Sequence, residues 1–258
     1  CKPAHRVAEG DTVRIPPAPR GGDGPVDVPD RVVGMLQKRI LYVDSNMLVL
    51  DKPAGMAVHA GSGLSWGVID ALRKLYPDEY IELAHRLDRE TSGCLVLART
   101  GQALKRLADQ FRTGAVDKRY LCLLDGRLPE ALVKADAPLK KIHGDGKRQV
   151  EVSPDGKSAL TRFRLLNFLG TASYAEAELL TGRTHQIRVH AAHMGLPLAG
   201  DALYAPRDSL SRFRRLGLKR LFLHAHRLEL EDGDGNRVPF EAPLPEELRE
   251  LLDRLESH

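Results

Sequence analysis

The chain has few cysteines and no long apolar run, and each shortage limits what it can be. Its three cysteines, Cys1, Cys94 and Cys122, are odd in number and far apart, which argues against a thiolate metal site and favours the reducing cytoplasm. No apolar run approaches the roughly 20 residues that span a bilayer, and no signal-peptide pattern is present. A redox pair of cysteines and a glycine-rich phosphate loop are also missing. The sequence therefore does not predict a membrane protein, a dithiol redox enzyme or a P-loop nucleotide enzyme.

Positive charge exceeds negative charge only modestly, with 39 Lys and Arg against 35 Asp and Glu in 258 residues. The basic residues are concentrated in two segments. The first cluster contains Arg207, Arg212, Arg214, Arg215, Lys219 and Arg220, and the second contains Lys134, Lys140, Lys141, Lys147 and Arg148. Both are typical of phosphate-binding patches, and equally of solvated helix or loop faces. A nucleic-acid partner is thus compatible with the charge but is not established by it.

The first 31 residues differ in character from the rest of the chain. Residues 9–15 predict a turn that enters a short strand, and no earlier segment could pair with it. Because the chain also begins with Cys1, we expect that an N-terminal piece precedes it in the intact protein. Residues 18–31 are rich in proline and glycine, which is typical of a linker. We therefore predict a domain remnant over 1–17, a linker over 18–31 and a globular domain over 32–258.

Strand patterns dominate this domain. Alternating or continuous apolar runs predict strands over 40–44, 47–51, 94–98, 118–124, 160–169, 174–180 and 221–230. Helical spacing and capping residues predict helices over 67–76, 102–111, 184–194 and 245–255, whereas residues 126–158 are expected to form an exposed excursion. Because the helices do not alternate strictly with the strands, we predict an α+β fold with a mixed, mainly antiparallel central sheet and flanking helices and loops.

A dense polar segment, residues 85–93, precedes the apolar run 94–98. Its central carboxylate, Asp88, lies between Arg86 and Arg89, and nearby positive charge favours the ionised form. An ionised carboxylate held at the end of a buried strand suits a nucleophile or an electrostatic stabiliser better than a general acid. The plain alternative is a salt-bridged turn.

A second polar segment covers residues 180–193. Arg183, His185, Gln186 and Arg188 fall near the start of a predicted helix, where backbone amides and arginines together attract an anion or a carboxylate. His185, His190 and His193 could instead be metal ligands, but their spacing is not the i, i+4 pair of a zinc-binding helix. We therefore predict no metal site.

Four motifs occur in an order and at a spacing that resemble one enzyme family, the RluA-type RNA pseudouridine synthases. They are Leu-Asp-Lys-Pro-Ala-Gly at 50–55, His-Arg-Leu-Asp-Arg-Glu-Thr-Ser-Gly at 85–93, Lys-Arg-Tyr at 118–120 and Gly-Arg-Thr-His-Gln-Ile-Arg-Val-His at 182–190. The resemblance covers residues 32 to about 245. Residues 9–17 and 58–67 resemble the members that modify the RNA of the large ribosomal subunit.

The resemblance implies an isomerase that converts uridines of 23S ribosomal RNA, free or in a large-subunit assembly intermediate, to pseudouridine. Such a reaction breaks the N1–C1′ bond, turns the uracil and rejoins it through C5, so no cofactor is expected. The same resemblance implies that residues 1–17 are the end of an S4-like RNA-binding domain, and that residues 32–258 form the pseudouridine synthase catalytic domain. We expect a cytoplasmic monomer.

The resemblance also implies roles for single residues. Asp88 is the catalytic carboxylate, which either attacks C1′ or assists loss of the C1′ proton. Arg188 pairs with Asp88, and Tyr120 stacks on the target base and helps to remove the C5 proton. Arg86 enters the RNA helix at the place vacated by the flipped uridine, His85 orients its neighbours, and Leu223 lines the uracil pocket. The other implied substrate and RNA contacts are Arg183, His185, Gln186, Lys52 and His59.

Three alternatives remain open from the sequence. The chain could modify other ribosomal RNA sites or transfer RNA. It could be a catalytically silent RNA-binding or ribosome-assembly module, although Asp88, Tyr120 and Arg188 are all present. It could also be a metal-dependent hydrolase that uses the histidines and carboxylates of residues 185–201.

Overall fold

The structure, a computed structural model, describes residues 27–60, 65–144 and 147–257. The predicted domain remnant at 1–17 and most of the predicted linker lie outside these ranges. Within them the chain forms the helices α1 (Asp30–Gln37), α2 (Val68–Leu75), α3 (Gly101–Thr113), α4 (Gln186–His193), α5 (Arg207–Arg215) and α6 (Glu246–Glu256). None of the helices in the described ranges is long and apolar enough to cross a membrane.

The strands are β1 (Ile40–Val43), β2 (Met47–Lys52), β3 (Glu82–Leu83), β4 (Ser92–Ala98), β5 (Asp117–Asp125), β6 (Leu132–Asp136), β7 (Leu139–Gly144), β8 (Lys147–Val152), β9 (Leu160–Leu169), β10 (Ala172–Leu179), β11 (Leu223–Glu231) and β12 (Arg237–Glu241). Ten of them form one sheet in the order β1-β2-β4-β11-β5-β10-β9-β6, with β12 beside β11 and β3 beside β4. The β4–β11 pair is parallel and the other described pairs are antiparallel. The prediction of a mixed, mainly antiparallel sheet is confirmed.

The central strands β2 and β4 are buried on both faces. Leu48 and Leu50 pack in one core cluster with Leu72 of α2, whereas Met47 and Val49 pack in another with Leu107 of α3. Successive side chains of a strand point to opposite faces, so a continuous apolar run requires cover on both sides. The two helices supply this cover, and the loop that enters β4 is thereby anchored to a rigid layer.

Close packing in the sheet centre explains one glycine of the 85–93 segment. Gly93 has φ +107°, and a Cβ atom there would lie 2.3 Å from the carbonyl oxygen of Ala225 on β11. Only glycine fits this approach without strain. Ser92 and Gly93 already belong to β4, whereas the apolar pattern predicted a strand only over 94–98.

The structure corrects the prediction for residues 126–158 and adds elements that were not predicted. Residues 126–158 contain β6 and a separate two-stranded hairpin, β7–β8, whose Leu139 and Val150 pack against Val189 of α4. The high content of Lys, Gly and Asp conceals the strand alternation there. Helices α1 and α5 and strands β3 and β12 were also missed, and α4 begins at Gln186 rather than at residue 184.

Candidate active site

Asp88 lies in the loop between β3 and β4, where its side chain is 24% exposed. The backbone N–H of Thr91 donates to the Asp88 carbonyl at 3.1 Å, and the neighbouring Leu87 side chain is buried in the core. On the far side of Asp88 the loop is tied to residues 52–56, because Gly55 N–H and Lys52 Nζ both donate to the Arg89 carbonyl, at 2.8 and 3.1 Å. The carboxylate is therefore held on a fixed loop and still faces solvent.

Lys52 is fully buried, which corrects the prediction that it contacts RNA. Its ammonium also donates to the carbonyls of Pro53 and Met56, at 2.9 and 2.8 Å. Burial lowers the pKa of Lys52 to about 7. Its place is beneath the loop that carries Asp88, where it joins two turns through their carbonyl groups.

Helix α4 brings Arg188 to Asp88. Arg188 Nη1 lies 3.4 Å from Asp88 Oδ2, so the structure brings together two residues that are 100 positions apart in the chain. The shorter contacts of this guanidinium are to Asp201, with Nε 2.8 Å from Oδ2 and Nη2 2.7 Å from Oδ1. Asp201 is only 1% exposed. Arg188 is thus shared between a buried carboxylate that orients it and an accessible one that faces the cleft.

His185 contacts the same carboxylate from the start of α4. Its Nε2 lies 3.7 Å from Asp88 Oδ2, and its Nδ1 lies 2.8 Å from the hydroxyl of Tyr204. Burial lowers the pKa of His185, although Asp88 opposes this shift. The residue also has φ +54°, the only positive φ of a described non-glycine residue. An L-residue in this conformation is strained and is held there by its surroundings.

A cleft of about 380 Å³ opens beside these groups. This volume lies within the range of small-ligand sites. Tyr120 of β5 and Leu223 of β11 form its apolar wall, and both are buried. Burial, assisted by Asp88, raises the pKa of Tyr120, so the phenol stays protonated at neutral pH. Of the described residues that line the cleft, Asp88 is the only acid, whereas Arg86, Arg112, Lys118, Arg183 and Arg188 are basic.

The predicted orienting role of His85 agrees with its contacts. Its Nε2 accepts a hydrogen bond from Val96 N–H at 3.0 Å, and its ring stacks on Phe111 at 4.3 Å between ring centres. Burial lowers the pKa of His85 to about 3, so the ring is neutral. Arg86 beside it is exposed at the mouth of the cleft.

Gln186 lines the cleft, but its amide is fully used within the protein. Its Nε2 donates to the carbonyl of Leu160 and to the hydroxyl of Thr161, both at 3.0 Å, and its Oε1 accepts from Thr181 Oγ1 and Arg183 N–H, at 2.7 and 3.0 Å. The amide of Gln186 thus joins α4 to β9, and the RNA contact of Gln186 stays a prediction.

His190, in the polar segment 180–193, has no ring nitrogen left for a metal ion. His190 uses both ring nitrogens, one with Thr161 Oγ1 at 2.9 Å and one with the Ala137 carbonyl at 3.0 Å. In the described part of the chain, no group of three or more His, Cys, Asp or Glu residues is arranged to hold a metal ion. His59 is exposed and does not line the described cleft.

A second cavity of about 400 Å³ lies between the β7–β8 hairpin and the start of α4. Lys140, Lys141, Lys157 and Arg183 contribute positive charge to it, and Asp155 is its acidic residue among those described. Gly182, Arg183 and Thr184 line both cavities. We call the two together the basic groove. The residues of the first basic cluster line neither of these two cavities. Two of them form ion pairs, Arg212 with Asp125 and Arg220 with Glu247.

Asp201 and Tyr204 complete the site; no role was predicted for Tyr204, and Asp201 was included only as a carboxylate of the hydrolase alternative. The sequence does contain an indication of the role of Asp201, because this residue is the one carboxylate in the largely apolar segment 196–205, Leu-Pro-Leu-Ala-Gly-Asp-Ala-Leu-Tyr-Ala. A single carboxylate in such an apolar run is expected to be buried, and a buried carboxylate needs a cation or several donors. Nothing in the local pattern, however, indicates that Arg188 is this cation.

Comparison with known proteins gives consistent matches. Residues 46–193 match the family model described as RNA pseudouridylate synthase. The ribosomal large subunit pseudouridine synthase C of Yersinia pestis is 44% identical over 256 residues, which cover 97% of this chain and 80% of that protein. The protein of the same name from Escherichia coli K12 is 42% identical over 264 residues, covering 99% and 82%.

Solved structures agree with the sequence matches. The human RNA pseudouridylate synthase domain containing 4 superposes with a TM-score of 0.73 at 26% identity, covering 88% of this chain and 96% of that one. The human RNA pseudouridylate synthase domain containing 1 superposes with a TM-score of 0.68 at 26% identity, covering 80% and 83%.

Proposed function

The chain belongs to the RNA pseudouridylate synthase family, and we propose that it isomerises specific uridines of 23S ribosomal RNA to pseudouridine. The family makes the chain an isomerase. The choice of RNA is supported by relatives named for the large ribosomal subunit, which align with nearly the whole chain. We further propose that it acts as a monomer in the cytoplasm, on free ribosomal RNA or on a large-subunit assembly intermediate.

One observation carries the proposal of mechanism, namely an accessible carboxylate fixed beside a shared guanidinium in a cleft of nucleoside-binding size. Asp88 reaches the cleft from a fixed loop, and Arg188 lies 3.4 Å from it. The ionised carboxylate is the form that can attack C1′ or stabilise positive charge at the sugar, and the guanidinium beside it can pair with that charge. Both routes fit this geometry.

The bond changes require little else from the protein. The N1–C1′ bond of the uridine breaks with Asp88 at the sugar, the uracil turns within the cleft, and C5 bonds to C1′. The C5 proton then leaves and N1 is protonated, so atoms and electrons balance without a co-reactant. We assign to Tyr120 the contact with the uracil ring. Because its raised pKa keeps the phenol protonated, it can accept the C5 proton only if its own proton leaves.

Positive charge around the cleft would hold the RNA. Arg86, Arg112 and Arg183 are exposed at the cleft, and Lys140 and Lys141 extend the charge along the basic groove. Extruding a base from a helix costs a few kcal/mol, and cationic contacts to phosphates would offset part of this cost. Within the basic groove, we place the target nucleotide in the cleft and the flanking strand in the second cavity.

Replacement of the carboxylate tests the mechanism. Asp88→Asn retains the side-chain size and removes the charge, so we expect no detectable pseudouridine and an RNA dissociation constant within about twofold of the wild type, because phosphate contacts dominate affinity. Asp78→Asn, at an exposed position, is the matched control and should retain full activity. Turnover by Asp88→Asn at the wild-type rate would remove Asp88 from the mechanism.

Pseudouridine mapping tests the choice of RNA. Total RNA from cells with and without the intact protein should differ at uridines of 23S ribosomal RNA. Differences confined to transfer RNA or to other ribosomal RNA would overturn the assignment of 23S ribosomal RNA as substrate. The proposed isomerisation of uridine to pseudouridine would still stand. Identical maps, together with RNA binding by the purified protein, would favour a catalytically silent module.

A further inference from the structure

Tyr204 contacts both side chains that approach the Asp88 carboxylate, His185 and Arg188. Its hydroxyl lies 3.1 Å from Val150 N and 2.8 Å from His185 Nδ1. Its ring lies under the Arg188 guanidinium, with Cζ 5.2 Å from the ring centre. Its backbone N–H donates to Asp201 Oδ1 at 3.2 Å. One side chain therefore joins both residues that approach the catalytic carboxylate.

The two neighbours of this hydroxyl favour one position for its proton. Val150 N–H is a donor, so the Tyr204 oxygen must accept from it. The single hydroxyl proton is then free for one acceptor, and among the described atoms the available acceptor is His185 Nδ1. A hydroxyl that donates to His185 Nδ1 leaves this nitrogen unprotonated, and the proton of the neutral ring then lies on Nε2.

The other side of the ring agrees with this assignment. His185 Nε2 faces Asp88 Oδ2 at 3.7 Å, where a carboxylate favours an N–H over a lone pair. Arg188 Nη1 approaches the same oxygen at 3.4 Å. Two donors thus converge on Oδ2 of Asp88, and Tyr204 contacts both of them. Its hydroxyl contacts His185, and its ring contacts Arg188.

We propose that Tyr204 is a positioning residue for the isomerisation, because its hydroxyl holds His185 as the Nε2–H tautomer and its ring supports Arg188, so that both point at Asp88. The proposal rests on the proposed function for its effect on turnover. It also connects the β7–β8 hairpin to the catalytic carboxylate, since Val150 belongs to β8.

The tautomer can be measured directly in the unmodified protein. Nitrogen-15 NMR of the imidazole rings distinguishes a protonated from an unprotonated ring nitrogen, and loss of one signal set in His185→Gln identifies His185 among the ten histidines. We expect a protonated Nε2 and an unprotonated Nδ1. The reverse pattern in the wild type would overturn the proposal whether or not any variant folds. This measurement needs no RNA, so it is independent of the proposed function.

Kinetics test the positioning role. Tyr204→Phe keeps the ring and removes the hydroxyl, so kcat should fall by about tenfold, as for the loss of one hydrogen bond, while the RNA dissociation constant stays within about twofold. Tyr80→Phe, whose ring is 46% exposed, is the matched control and should equal the wild type. An unchanged kcat in Tyr204→Phe would overturn the proposal.

A double-mutant cycle separates positioning from general packing. If the hydroxyl acts through His185, Tyr204→Phe should lower kcat no further in a His185→Gln background. Equal effects in both backgrounds would show that Tyr204 does not act through His185. Absence of pseudouridine formation by the wild type on every RNA tested would instead count against the proposed function and leave the tautomer assignment standing.

Discussion

Removing the charge of Asp201 tests the claim that Arg188 is oriented by a buried partner. The Asp201 carboxylate accepts four hydrogen bonds, from Arg188 Nε and Nη2 at 2.8 and 2.7 Å and from the backbone N–H groups of Leu203 and Tyr204 at 3.0 and 3.2 Å. Asp201→Asn keeps one oxygen and places an amide NH₂, which is also a donor, among these donors. The Arg188 charge is then buried without its principal counter-ion.

The expected loss of stability follows from burial of the pair. Asp201 and Arg188 are 1% and 8% exposed, and removing one partner of a buried ion pair costs about 3–5 kcal/mol. For a chain of this size, this corresponds to a decrease in Tm of roughly 6–20 °C. A guanidinium released from Asp201 also moves relative to Asp88, and misplacement by about 1 Å can lower kcat by about 10²-fold.

Urea unfolding and single-turnover kinetics measure the two effects separately. Asp109→Asn is the matched control, because Asp109 forms an exposed pair with Arg112 at 3.0 Å and such pairs contribute at most about 1 kcal/mol. Kinetics should be compared at a temperature at which both variants are folded. A loss below about 1 kcal/mol in Asp201→Asn, together with a wild-type kcat, would refute the assigned role of Asp201.

Two further predictions concern the buried lysine and the basic groove. Burial lowers the pKa of Lys52 from its ordinary value of 10.5 to about 7. Between these two pH values the unfolded chain therefore holds a proton that the folded chain lacks. The free energy of unfolding consequently rises with pH, by up to about 1.4 kcal/mol per pH unit. Unfolding curves of the wild type and Lys52→Met at pH 7 and 9 should therefore diverge, and a constant difference would contradict the argument. In the double variant Lys140→Ala/Lys141→Ala, the salt slope of log Kd for RNA should decrease by about 0.7–0.9 for each phosphate that the two lysines neutralise in the wild type, with kcat unchanged at saturating RNA. An unchanged slope in anisotropy titrations would remove the hairpin from the RNA-binding surface.

How far the fold could be predicted depended on how many faces of each element are buried. β2 and β4 contain the continuous apolar runs 47–50 and 94–98, and β10 alternates, so their patterns reveal them directly. The hairpin strand β7 exposes Lys140 and Lys141, and its buried Leu139 packs with Val189 of α4 in a small cluster separate from the main core. A strand of this kind is defined by its partner, which the local sequence does not reveal.

The candidate site shows the same limit at single residues. The polar motifs indicate that Lys52 and Gln186 matter, but not whether they face the RNA or the core. Lysine is rarely buried completely, so an RNA contact was the natural prediction for Lys52. Its burial depends on three carbonyl groups supplied by two turns, and only the folded chain brings these together. The pairing of Asp201 with Arg188 was missed because Arg188 had already been assigned to Asp88.

The distribution of charge around the cleft decides which part of a nucleotide can approach Asp88. Asp88 and Asp201 carry two negative charges against the single charge of Arg188, because the lowered pKa of His185 favours its neutral ring. A phosphate is therefore repelled from this centre and attracted to the arginines at its mouth, Arg86 and Arg183. The neutral parts of a nucleotide, the sugar and the base, face no such repulsion. A nucleotide bound with its phosphates at the mouth of the cleft must then direct its sugar and base inwards, towards the carboxylate and the ring of Tyr120.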